Sequence, residues 1–100
     1  MINKLDLNDL AAKQSLWLQS MGWWKDKTHL ESLMLVVSEC GEAANEVRGL
    51  QPTDKFQTEL ADIILRTLGL AAENGIDIQQ AVLNKMAKNL ELKPNPDRLK

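Results

Sequence analysis

The chain has one cysteine, Cys40, one phenylalanine and no tyrosine. A lone cysteine cannot close an internal disulfide, which fits a reducing compartment. Positive charge is not in excess. Twelve Lys and Arg face fourteen Asp and Glu, giving a net charge of −2, and the two signs are mixed along the chain. The basic face that duplex nucleic acid requires is therefore missing. Long apolar runs are missing too. The longest, from Leu33 to Val37, falls far short of the ~20 residues that span a bilayer. The opening MINKLDLNDL holds no stretch suited to a signal peptide. These absences point to a soluble, cytoplasmic protein with neither nucleic acid nor membrane as partner. A length of 100 residues fits one small domain. Such a domain buries only about 60–70% of its unfolded surface, so its own core is modest.

Aliphatic residues and alanine dominate, with little of the alternation that marks strands. The spacing predicts an all-α fold of four helices, over about 7–21, 28–48, 53–74 and 77–92. In the first, Leu7, Leu10, Trp17, Leu18 and Met21 recur at helical spacing, with Gln14 as a polar exception in the stripe. Gly22 ends it, and Trp17 is expected in the core. Thr28-His29-Leu30-Glu31 is a capping box that starts the second helix. Gly49 and Pro52 end that helix. Gly75 closes the third, and Asp77 caps the fourth before Pro94. A single domain over 1–100 follows, with its core at about 5–92 and a loose tail at 93–100.

On a helical wheel, Glu39, Glu42 and Glu46 fall within about 60° of one another. Leu33, Val37, Cys40, Ala44 and Val47 gather elsewhere, as a candidate core face. In the third helix Glu59, Asp62 and Arg66 share one stripe, and Leu60, Ile64, Thr67 and Ala71 share another. The intervening loop is short, so the two helices should be antiparallel neighbours. At 1.5 Å per residue, Glu42 and Glu59 stand about 9–10 Å from the turn, and Glu39 and Asp62 about 14–15 Å. Two level pairs result. Four converging carboxylates repel unless protonated or neutralised. Either they bind a divalent cation, or they form a solvated acidic face. All-oxygen donors suit hard Mg²⁺ or Mn²⁺. A di-iron bundle would need Glu-x-x-His pairs, and the one histidine, His29, lies outside both motifs.

The segment LMLVVSECGEAANEVRG, followed by FQTELADIILRTLGLAAENGIDIQQAVLNKMAKN, resembles the MazG-like all-α nucleoside triphosphate pyrophosphohydrolases. The family pattern is E-x-x-E, a gap, then E-x-x-D. Here it reads Glu39-Cys40-Gly41-Glu42 and Glu59-Leu60-Ala61-Asp62. Gly75-Ile76-Asp77, Lys85 and Asn89 also match. Ser38 stands where many members carry another glutamate, and the arginine often found just after the asparagine is absent. The resemblance implies Mg²⁺ on Glu39, Glu42, Glu59 and Asp62. It implies hydrolysis of a (d)NTP to a (d)NMP and pyrophosphate. Glu39 and Glu42 are then candidates to take the proton of the attacking water. Lys85 and Asn89, one turn apart, become candidate phosphate contacts, where their bland role is a solvated helix end. Trp23 lies near a position where relatives with base selectivity carry an aromatic, and it either stacks on the base or plugs an apolar contact. Arg66 either pairs with Glu59 or Asp62 or touches a phosphate.

Helices two and three are apolar over more than one stripe, at Met34, Val36, Leu65, Leu68 and Leu70. A single copy would expose several of these, which predicts burial against another copy. A homodimer is the expected minimum, and short family members imply a homotetramer with sites shared between subunits. The competing function is a non-catalytic helical oligomer, a scaffold or regulatory interaction protein that retains the fold.

Overall fold

The computed structural model describes residues 6–22, 27–49 and 51–94. They form four helices and, among the described residues, no strand: α1 (Leu7–Met21), α2 (His29–Asn45), α3 (Phe56–Glu73) and α4 (Ile78–Asn89). No helix among them is long and apolar enough to cross a membrane.

Local chemistry sets each boundary. Asp6 and Asp9 form a capping box at the start of α1, satisfying N–H groups that no helical carbonyl reaches. The predicted box on α2 is present, with the Glu31 N–H donating to Thr28 Oγ1 at 3.1 Å and the Thr28 N–H to Glu31 Oε1 at 3.3 Å. α3 ends in a Schellman motif. The Ile76 N–H bonds the Ala71 carbonyl at 3.0 Å and the Gly75 N–H bonds that of Ala72 at 3.2 Å. Gly75, at φ 62°, holds the left-handed turn this requires.

The loop between α2 and α3 is longer than the sequence suggested. α2 stops at Asn45 rather than Arg48, and α3 begins at Phe56 rather than Thr53. Thr53 is the cause. Its N–H donates to the Glu46 carbonyl at 2.9 Å, and its hydroxyl donates to the Glu46 carboxylate. Both residues are thereby drawn into a turn, and Glu46 is spent on the loop.

α3 is the central element. It packs along α2 on one side and α1 on the other, while α4 packs on α1. α2 and α3 run antiparallel, and the Ser32 hydroxyl near the start of α2 donates to Glu73 at the end of α3, at 3.4 Å. The core is small: Ala11 and Leu18 of α1, Ala43 of α2, and Leu68 and Ala71 of α3. Gly69 is buried where α1 crosses α3. A Cβ there would stand 3.0 Å from Leu18 Cδ1, so the missing side chain sets how closely the helices approach.

The apolar stripes expected to face inward mostly do not. Leu33, Val37, Cys40, Val47, Leu60 and Ile64 are exposed in the single chain, whereas Glu39, Glu59 and Asp62 are half-buried. Within the hairpin Glu39, Glu59 and Asp62 lie further inward than these aliphatic residues, although Glu42 is exposed and Ala71, of the α3 aliphatic stripe, is buried. Trp17, expected in the core, is 47% exposed. The predicted role of Trp23 lies outside the described residues.

Candidate metal centre

Glu39 and Glu42 lie one turn apart on α2, as do Glu59 and Asp62 on α3, so each pair shares a helix face. The antiparallel hairpin sets these faces against each other. Carboxylate oxygens of Glu39, Glu42 and Glu59 lie within 4.8 Å of one another. Asp62 is outside that triad but lines the same cleft as Glu39 and Glu42.

Two oxygens in this cluster, Glu39 Oε2 and Glu59 Oε2, are buried with no hydrogen-bond partner among the described residues. An unpaired buried acceptor is costly, and for a charged group more so. Burial pushes the Glu39 carboxyl above its ordinary pKa, and the negative charges of Glu42 and then Asp62 push in the same direction. Arg66 opposes them, its Nε donating to Glu39 Oε1 at 3.4 Å. The partner of Arg66 is therefore Glu39, not Glu59 or Asp62. The donor set is all oxygen, close-packed and short of positive charge, which is what a hard divalent cation relieves.

Three of the acids, Glu39, Glu42 and Asp62, line a cleft of about 280 Å³ together with Arg66. Gln14, Trp17 and Leu18 of α1 and Leu65 of α3 line it too. Gln14 and Trp17 were not anticipated here. The signal was available in Gln14, the one polar interruption of the apolar stripe of α1. Lys85 and Asn89 are exposed on α4 and do not line the cleft within one chain. Their helix packs on α1, away from the acid-bearing faces. Cys40, next to Glu39 in sequence, is exposed.

No curated protein matches the chain. The family model for the MazG nucleotide pyrophosphohydrolase domain matches residues 27–95, which include all four acids, Lys85 and Asn89. The chain belongs to that family.

Proposed function

We propose that this member of the MazG nucleotide pyrophosphohydrolase family is a divalent-cation-dependent hydrolase that converts a nucleoside triphosphate and water to the monophosphate and pyrophosphate. The observation that carries the reading is the pair of buried, unpartnered oxygens, Glu39 Oε2 and Glu59 Oε2, within a cluster of carboxylates. They fit a hard cation, and Glu39, Glu42, Glu59 and Asp62 are the residues that would hold it. Mg²⁺, or Mn²⁺ in its place, supplies charge neutralisation and polarises the phosphoryl group when bound. The remaining work falls to the chain itself. Glu39 and Glu42 face the cleft, and either carboxylate can accept the proton of the attacking water as the α–β anhydride bond breaks. Trp17 and Leu65 line the same cleft and offer apolar surface on which a base can lie, and the Gln14 amide can hydrogen-bond a base edge.

A second copy completes this reading. The outward aliphatic stripe of α2 and α3, with Leu33, Val37, Leu60 and Ile64 exposed, is the surface to bury. A homodimer at minimum, and a tetramer by family resemblance, would also let Lys85 and Asn89 of one copy reach the phosphates held by another.

The deciding experiment incubates the chain with a panel of canonical and modified (d)NTPs and Mg²⁺ or Mn²⁺, with product identification. Monophosphate and pyrophosphate are expected from at least one member. A panel yielding no monophosphate rejects the reading and favours the non-catalytic oligomer.

A further inference from the structure

We propose that Arg66 binds a phosphate group of the nucleotide directly, anchored on Glu39 through Nε and presenting its two terminal nitrogens to the substrate. This rests on the nucleotide reading above and adds a residue to it.

A structural arginine–carboxylate pair tends to use the guanidinium fork, with two short parallel bonds. Here the only contact is a single one from Nε, at 3.4 Å. Among the described residues the terminal nitrogens have no partner. The side chain of Arg66 remains 31% accessible, against 14% for Glu39. The edge of the guanidinium suited to bidentate contact with an oxyanion is thus left open while its stem is fixed.

Arg66 lines the 280 Å³ cleft beside Glu39, Glu42 and Asp62, and no other cationic side chain lines it among the described residues. A triphosphate entering there brings several negative charges against a wall of carboxylates. Lys85 and Asn89 do not line this cleft in one chain, so Arg66 is the positive group that the same copy places beside the acids. Arg66 engages Glu39 Oε1, while Oε2 is the unpartnered oxygen. The two oxygens of Glu39 can serve arginine and cation at once, so substrate binding need not break the anchor.

The test compares wild type, Arg66→Met and Arg66→Lys, with folding checked by circular dichroism. Mn²⁺ affinity is measured by titration without nucleotide. Affinity for a non-hydrolysable α,β-imido triphosphate is then measured with Mn²⁺ saturating. We expect Arg66→Met to keep Mn²⁺ affinity within about threefold and to lose analogue affinity by about 10- to 100-fold, the scale of a charge-assisted hydrogen bond. Arg66→Lys should recover part of that loss, because it restores the charge without the fork. Unchanged analogue affinity in Arg66→Met overturns the proposal. So does a fall in Mn²⁺ affinity as large as the fall in analogue affinity, which would make Arg66 only a support for Glu39. A wild-type chain that binds Mn²⁺ but not the analogue overturns the nucleotide reading itself, so the two failures are distinguishable.

Discussion

Where α1 meets α4, polar groups are paired off. The Leu7 N–H donates to Gln79 Oε1 at 3.0 Å, Asn8 Nδ2 donates to Asp77 Oδ1 at 2.8 Å, and the Gln79 N–H donates to Asn8 Oδ1 at 3.0 Å. Where α2 faces α3, in contrast, carboxylates crowd together and two of their oxygens are buried without partners. Both regions bring polar side chains together between two helices. The first is complete as it stands, so its role is to hold α4 in place. The second leaves buried carboxylate oxygens unpartnered, a cost that protonation or a bound cation would relieve. Polar satisfaction, more than polarity, separates a structural contact from a candidate site.

The sharpest way to break that contrast is to remove an acid. Glu42→Ala or Asp62→Ala should lower pyrophosphate release by at least about a hundredfold. Either should also abolish the rise in melting temperature that Mg²⁺ or Mn²⁺ produces. Asn8→Ala, at the satisfied junction, should lower the melting temperature yet keep the metal-induced rise. Full activity in Glu42→Ala or Asp62→Ala would remove those acids from the centre. Loss of the metal response in Asn8→Ala would erase the distinction between the regions.

Next in size is Gly69, which governs how α1 approaches α3 and so how Gln14, Trp17 and Leu18 reach the cleft. Gly69→Val would press on Leu18 Cδ1, already 3.0 Å from the position of a Cβ, and on Gln14 Cγ at 3.7 Å. Overpacking of this kind costs about 1–3 kcal/mol. For a 100-residue chain that is a fall of roughly 5–20 °C in melting temperature. An unchanged melting temperature in a thermal scan would mean that α1 can move away freely, and that the cleft wall is not fixed by this contact.

Much of this was legible in the sequence, for definable reasons. Helix number and the caps at Thr28 and Asp77 follow from local chemistry, which needs only a few neighbouring residues. The antiparallel facing of α2 and α3 matches the expectation from helical periodicity, although the loop that joins them, 46–55, is longer than expected. The loop is longer than spacing predicts because Thr53 bonds to Glu46, a contact that no propensity encodes. Leu33, Val37, Leu60 and Ile64 face outward, where periodicity alone predicts that an aliphatic stripe packs on the chain's own core. One copy has too little core to absorb both stripes, and Glu39, Glu59 and Asp62 lie further inward. Trp17 likewise lies at the surface of the single chain, lining the cleft, rather than in the core. The partner of Arg66 depends on side-chain placement across two helices, and spacing alone could not choose Glu39 over Glu59 or Asp62.

The cost of an incomplete site should appear as a pH dependence. The folded-state pKa of Glu39 is raised from 4.5 by burial and by Glu42 and Asp62. Between 4.5 and the raised value the folded state binds more protons than the unfolded state, so metal-free stability falls as pH rises through that window. Glu39→Gln removes the penalty. At neutral pH the metal-free variant should melt a few degrees above wild type, about 4–8 °C for each 1 kcal/mol recovered. The gain should vanish below pH 4.5, where the wild-type carboxyl is protonated in both states. A metal-free variant less stable than wild type at neutral pH would show that Glu39 is held comfortably by Arg66, and that the cluster carries no strain for a cation to relieve.

The smallest effect belongs to the satisfied junction and has the opposite sign. Asp77 is held below its ordinary pKa of 3.8 by the hydrogen bond from Asn8 and then by that from the Gln80 N–H. Its contribution is therefore present above pH 3.8 and lost as pH falls through the lowered value. The carboxylate is exposed, so solvent screens it and the loss should be slight. Its readout is local: amide exchange along Ile78–Asn89 should quicken in acid before α2 and α3 open. In Asp77→Asn the amide oxygen can still accept both bonds, so exchange in α4 should be a little faster than wild type above pH 3.8 and the same below the lowered value. If Asp77→Asn instead loosened α2 and α3 together with α4, the junction would be part of one cooperative unit with the acid-bearing hairpin. Conversely, α4 loosening alone would show that the helix carrying Lys85 and Asn89 can shift without disturbing the four acids, as a helix that reaches toward another copy must.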